Sequence, residues 1–139
     1  MTVEPFTPAE LSVAERFLPY VLRTDFSAFV EKSFGTVCPD QTFQHNWHLE
    51  AIGHALERVV AGKTKRLIIL MPPRNLKSIC ASMALPAWLL GRDPTRQIVC
   101  VSYSAELAAK HARDCRAVMM APWFQSVFPS TRIRSGQVC

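Results

Sequence analysis

Arg66-Leu67-Ile68-Ile69-Leu70-Met71-Pro72-Pro73-Arg74-Asn75-Leu76-Lys77-Ser78 decides how this chain is read. Leu67 to Met71 is a short, unbroken apolar run, the pattern of a strand buried on both faces of a parallel sheet. Two prolines end it. Lys77 and Ser78 then open an apolar stretch, Ser78 to Leu90, that reads as a helix ending at Gly91.

A strand, a tight turn and a Lys-Ser pair at a helix start suit phosphate chemistry. Backbone N–H groups of the turn and first helical turn converge there, and the helix dipole adds positive potential. Lys77 would supply charge to the β- and γ-phosphates, and Ser78 a hydroxyl to Mg²⁺. The usual P-loop pattern, G-x-x-x-x-G-K-[ST], places its glycines where Met71 and Leu76 stand, so both are absent. The spacing alone leaves a second reading open, an ordinary loop capping a helix.

Outward from this stretch, Gln97 to Tyr103 is a second buried-strand candidate, and Ser104 is an N-cap for a helix from Ala105 to about Met120. Its core face would use Leu107, Ala108, Cys115, Val118 and Met119. Upstream, apolar residues recur at helical spacing from Ala9 to Lys32 (Leu11, Ala14, Leu18, Val21, Leu22, Phe26, Phe29, Val30). Pro19 should kink or split this segment and Gly35 should stop it. Leu49 to Val60 is another amphipathic helix, capped by Gly62 and followed by Lys63, Lys65 and Arg66. Buried strands alternating with helices imply an α/β fold with a parallel sheet, P-loop NTPase-like and incomplete, preceded by a helical segment. The expected division is 1–42 for the helical segment and loop, and 43–139 for the ATPase-like part.

The 139 residues amount to about one domain. A net charge of +5 and a pI near 9.2 fit a phosphate-bearing partner, although many soluble proteins carry a similar excess. The five cysteines, Cys38, Cys80, Cys100, Cys115 and Cys139, are widely spaced without a CxxC, which reads as reduced, buried thiols in a cytoplasmic protein. The N-terminus is acidic and polar, unlike a signal peptide, and no apolar run is long enough for a membrane span. Cys38 with His45 and His48 lacks a second ligand pair for zinc. His54 and His111 read as solvated or packing residues. Met119, Met120, Trp123, Phe124 and Phe128 read as core-closing. Arg113, Arg116, Arg132 and Arg134 are candidates for DNA phosphates or for a solvated face.

The segment Pro72-Pro73-Arg74-Asn75-Leu76-Lys77-Ser78 resembles the deviant Walker A motif, P-P-R-x-x-K-S, of phage terminase large subunits. Many members have histidine at the position of Asn75, and some have leucine at that of Leu76. Trp47-His48-Leu49-Glu50, Pro86-Ala87-Trp88-Leu89-Leu90-Gly91, Ser102-Tyr103-Ser104, Leu107-Ala108 and Pro122-Trp123-Phe124 are similar too, so the resemblance runs from about Phe43 to Arg134. It implies an ATP-driven DNA-packaging motor, with ATP and Mg²⁺ as cofactors. Pro73, Arg74, Asn75, Leu76, Lys77 and Ser78 would form the nucleotide site. Arg74 and Lys77 would be the catalytic residues, Arg74 in the manner of an arginine finger, and Ser78 the Mg²⁺ ligand. Trp47 and His48 stand where an aromatic-Gln element contacts adenine, with histidine in place of glutamine; a core aromatic is the other reading of Trp47. Implied partners are double-stranded DNA, the terminase small subunit, the portal protein and, in full-length relatives, a homo-oligomeric ring.

Full-length relatives combine ATPase and endonuclease. No apolar strand ending in paired acids occurs here, and Asp93 and Asp114 sit in a turn and a helix. The family's Walker B and RNase H-like nuclease acids would follow Cys139, so the sequence reads as a truncated piece, from a prophage for example, that binds nucleotide without hydrolysing it alone. The rival expectations are a non-catalytic remnant that binds nucleic acid or a partner, and a fragment of a helicase-like P-loop ATPase. A parallel sheet with an uncovered edge predicts poor solubility.

Overall fold

The computed structural model describes residues 8–133, and the side chains of residues 8–12 and 14 are not among what it describes. Arg134, Cys139 and the polar lead-in therefore lie outside the described residues, as do the side chains of Leu11 and Ala14. The elements are α1 (Pro8–Thr24), α2 (Phe26–Val37), α3 (Trp47–Val60), a π-helical segment (Ile79–Ala84) running directly into α4 (Leu85–Arg92), α5 (Ala105–Met120) and α6 (Pro122–Val127).

Among the described residues there is no strand, which corrects the expected α/β fold with a parallel sheet. Leu67–Met71 and Gln97–Tyr103 are neither helical nor paired. Ile68 and Leu70 are 83% and 89% exposed, and Val99, Val101 and Tyr103 are 86%, 89% and 94% exposed. A strand is stabilised by its neighbour's ladder and by cover on its faces; neither run finds a ladder among the described residues, and core cover is limited to Ile69 and Met71. The thiol of Cys100, expected to be buried, is exposed for the same reason.

α2 lies at the centre of the helical packing, in contact with α1, α3, α4, α5 and the π segment. Asp25 starts it by accepting the Ala28 N–H at 3.0 Å, and the Glu57 carboxylate accepts the Phe26 N–H at 3.1 Å, tying α2 to α3. Its Phe29 meets Trp123, Phe124 and Phe128 edge-on, with centroids 5.6–6.2 Å apart. Leu22, Phe26, Val30, Ile52, Leu56, Met83, Ala87, Trp88 and Val118 complete one continuous core. Trp88 packs on Phe26, and its Nε1–H donates to the Leu22 carbonyl at 2.9 Å.

Pro19 lies inside α1, and the break comes at Asp25 instead. Gly35 also lies inside its helix, which continues to Val37. The π segment has a local cause. Pro86 has no N–H for the Ser82 carbonyl and its ring presses on that oxygen. The preceding turn widens, so that the Leu85 N–H bonds the Cys80 carbonyl five residues back. α5 buries Val118 and Met119, while Leu107 and Ala108 remain half-exposed. At the far end Thr131 is buried, and its hydroxyl contacts the Leu90 and Gly91 carbonyls at 3.0 and 3.1 Å, closing the C-terminus of α4.

Close packing makes two residues diagnostic. A Cβ on Gly91 would lie 2.7 Å from the Phe128 ring, so Gly91→Ala should lower unfolding free energy by about 1–3 kcal/mol in chemical denaturation. The Ser33 hydroxyl is buried without a partner among the described residues, so Ser33→Ala should be neutral or stabilise by up to about 1 kcal/mol. Tolerance of Gly91→Ala together with damage by Ser33→Ala would contradict this packing.

Candidate functional site: the loop from Met71 to Ser78

The loop joins the unpaired run 67–71 to the π segment, and the chain is already helical at Lys77 and Ser78. Arg74 and Leu76 both take positive φ, 68° and 54°. For residues with a Cβ this left-handed conformation costs about 1–2 kcal/mol each. Leu76 thus adopts a backbone conformation that glycine takes at no steric cost. Its side chain packs against the core, which offsets part of that cost.

Three successive carbonyls are held by side chains of the same loop. Lys77 Nζ donates to the Met71 oxygen at 2.9 Å, and Asn75 Nδ2 donates to the Pro72 and Pro73 oxygens at 3.1 and 3.4 Å. Lys77 is half-buried, while Arg74 and Ser78 are exposed. Backbone that turns left-handed twice in three residues swings N–H groups to one side, the geometry from which anion-binding concavities are built. Lys77 has three ammonium donors and gives one to Met71. That clasp is the part of the site that sequence did not reveal, since a backbone carbonyl leaves no mark on residue type.

The loop brings together Pro73, Arg74, Asn75, Leu76, Lys77 and Ser78. Trp47 and His48 sit at the start of α3, ring centroids 6.2 Å apart and nearly perpendicular. Trp47 is 77% exposed, so the core-aromatic reading fails. Among the described residues no hydrogen bond or ring contact links either ring to residues 72–78.

The other candidates resolve separately. His45 pairs with Glu31 at 2.9 Å on the surface, and no described group of three or more His, Cys, Asp or Glu is arranged to hold a metal. The Asp93 carboxyl is held below its usual range by the Thr95 hydroxyl and N–H, with Arg96 adding to this. It is thus engaged in its own turn. Burial pushes the Cys80 thiol up to about 11, which keeps it protonated and inert just after the loop. Phe124 and Phe128 are buried, whereas Met120 is exposed. No described helix is long and apolar enough to cross a membrane.

Backbone strain at Arg74 can be read directly, because its side chain is exposed and packing does not confuse the result. Arg74→Gly should leave stability unchanged or raise it by up to about 1 kcal/mol, while Arg74→Val should lower it by about 1 kcal/mol or more. Equal effects of the two in thermal denaturation would mean that residue 74 is not left-handed.

No family model, curated protein or solved structure matches the chain.

Proposed function

We propose that the loop from Met71 to Ser78 binds the phosphates of ATP-Mg, and that the chain is the nucleotide-binding piece of a terminase-like, ATP-driven DNA-packaging ATPase. The observation that carries this reading is a lysine opening a helix and clasping back over a loop whose backbone is twice left-handed. The motif resemblance adds the nucleotide and the motor; the geometry supports only the phosphate chemistry.

In this reading the remaining Lys77 donors take phosphate oxygens, and the N–H groups of the first helical turn take others. Exposed Arg74 lies three residues before Lys77 and can swing its guanidinium onto the terminal phosphate. Ser78 would hold Mg²⁺ through its hydroxyl. That single oxygen, outside any described cluster of three or more metal-ligating side chains, fits an ion carried by the nucleotide and its waters rather than a resident one. When bound, the ion neutralises phosphate charge. Asp93 is held in its own turn by Thr95 and Arg96, and in this reading the loop binds nucleotide without supplying a general base.

A titration with a fluorescent ATP analogue and Mg²⁺ tests this directly. The wild type should bind, Lys77→Ala should bind about 10–100-fold more weakly with unchanged helical circular dichroism, and neither should release phosphate. Equal binding by the two proteins, or no binding by a folded wild type, would reduce Lys77 and Ser78 to a helix start.

A further inference from the structure

The basic end of α3 has no task in the phosphate loop. Arg58, Lys63, Lys65 and Arg66 are all exposed, and none of their side chains has a hydrogen bond or an ion pair among the described residues. They do not hang on a loose tail. The Ala61, Gly62, Lys63 and Thr64 N–H groups bond the Glu57, Val59 and Arg58 carbonyls at 2.9–3.2 Å, and Gly62 takes a φ of 72° within this turn. The dipole of a helix C-terminus, roughly half a unit of negative charge, accounts for one cation there and not for a cluster.

Arg92 and Arg96 extend the patch. With Val60 and Ala61 they line a depression of about 390 Å³, so the C-terminal ends of α3 and α4 adjoin there. Arg92 lies over the Trp88 ring, 4.5 Å from its centre, which steadies the guanidinium. Glu57 and Asp93 share the depression, but Glu57 accepts the Phe26 N–H and Asp93 is held by Thr95 and Arg96. Cations thus outnumber carboxylates at this end, and the carboxylates are already engaged.

We infer that this face holds the phosphate backbone of a nucleic acid without reading its sequence. The cations are spread over two helix ends, so a compact anion meets few of them at once. A polymer with a phosphate at every step meets several and releases a counterion at each. No aromatic residue is interleaved with Lys63, Lys65 and Arg66 to stack a base, which leaves contacts that position a strand and carry no base information. The depression between the helix ends suits a rod-like strand better than a flat lipid surface. On α5, by contrast, Lys110 is paired with Asp114 at 2.5 Å beside Arg113, so opposite charges alternate on that face.

Fluorescence anisotropy of the full chain with a short labelled DNA duplex tests the inference. Binding should weaken with salt along a logarithmic slope of about −3 to −5, at roughly 0.9 per phosphate contact. Lys63→Ala with Lys65→Ala and Arg66→Ala should keep the helical circular dichroism, weaken binding about 10-fold or more, and flatten the slope by about 2 to 3. Lys77→Ala, and Arg113→Ala with Arg132→Ala, should each bind within about twofold of the wild type, and a duplex of scrambled sequence should bind equally. The surface is separate from the phosphate loop, so failure of one reading leaves the other standing. A wild type that does not bind overturns the inference, as does a triple variant with an unchanged slope. Loss of binding through Lys77→Ala would overturn it too, by placing the strand at the phosphate loop. So would capture by phosphatidylserine-containing vesicles, abolished in the triple variant, without any binding of duplex.

Discussion

The position of Trp88 governs the rest of the molecule. Its ring packs on Phe26, its indole N–H donates to the Leu22 carbonyl, and Arg92 lies over its outer face 4.5 Å from the ring centre. One side chain thus joins α4 to the end of α1 and the start of α2. The hydrogen bond matters because the Leu22 carbonyl belongs to the last turn of α1, whose oxygens have no partner within the helix. Removing the indole would leave a cavity and a buried acceptor together, two losses that rank among the largest a core can suffer.

This anchorage explains how a strained loop persists. Behind Lys77 the chain runs without interruption through the π segment into α4, and Cys80, Met83, Ala84, Ala87 and Trp88 bury that whole length against α2 and α5. The helix is held from its far end, so the loop must meet it at a set position and angle. Two left-handed residues and a lysine clasp are the local cost of that join. Strain of this kind survives only where the surroundings over-determine it, and it concentrates at binding sites.

Much of this was legible in sequence, for local reasons. α3 and α5 follow from 3.6-residue periodicity, Ser104 from its side-chain oxygen, and Gly62 from its freedom at φ 72°. The Lys-Ser pair at a helix start was legible as well. What failed depended on distant groups. Leu67–Met71 and Gln97–Tyr103 have the composition of buried strands, yet burial requires neighbours that a local pattern cannot supply. Pro19 and Gly35 both lie inside helices: α1 runs through Pro19 to Thr24, and α2 runs through Gly35 to Val37, with buried Phe34 and half-buried Val37 on either side of the glycine. Thr131 closes α4 because its hydroxyl reaches the Leu90 and Gly91 carbonyls, a contact that depends on chain forty residues away.

The central claim is that the backbone between Arg74 and Ile79 forms an anion site, whatever larger molecule brings the anion. Amide NMR of the isotopically labelled chain during titration with pyrophosphate tests it most directly. The account predicts saturable shifts concentrated on the N–H groups of Arg74 to Ile79 and on the Lys77 ammonium. Shifts spread over Lys63, Lys65 and Arg66 without saturation, or none in the loop, would contradict it.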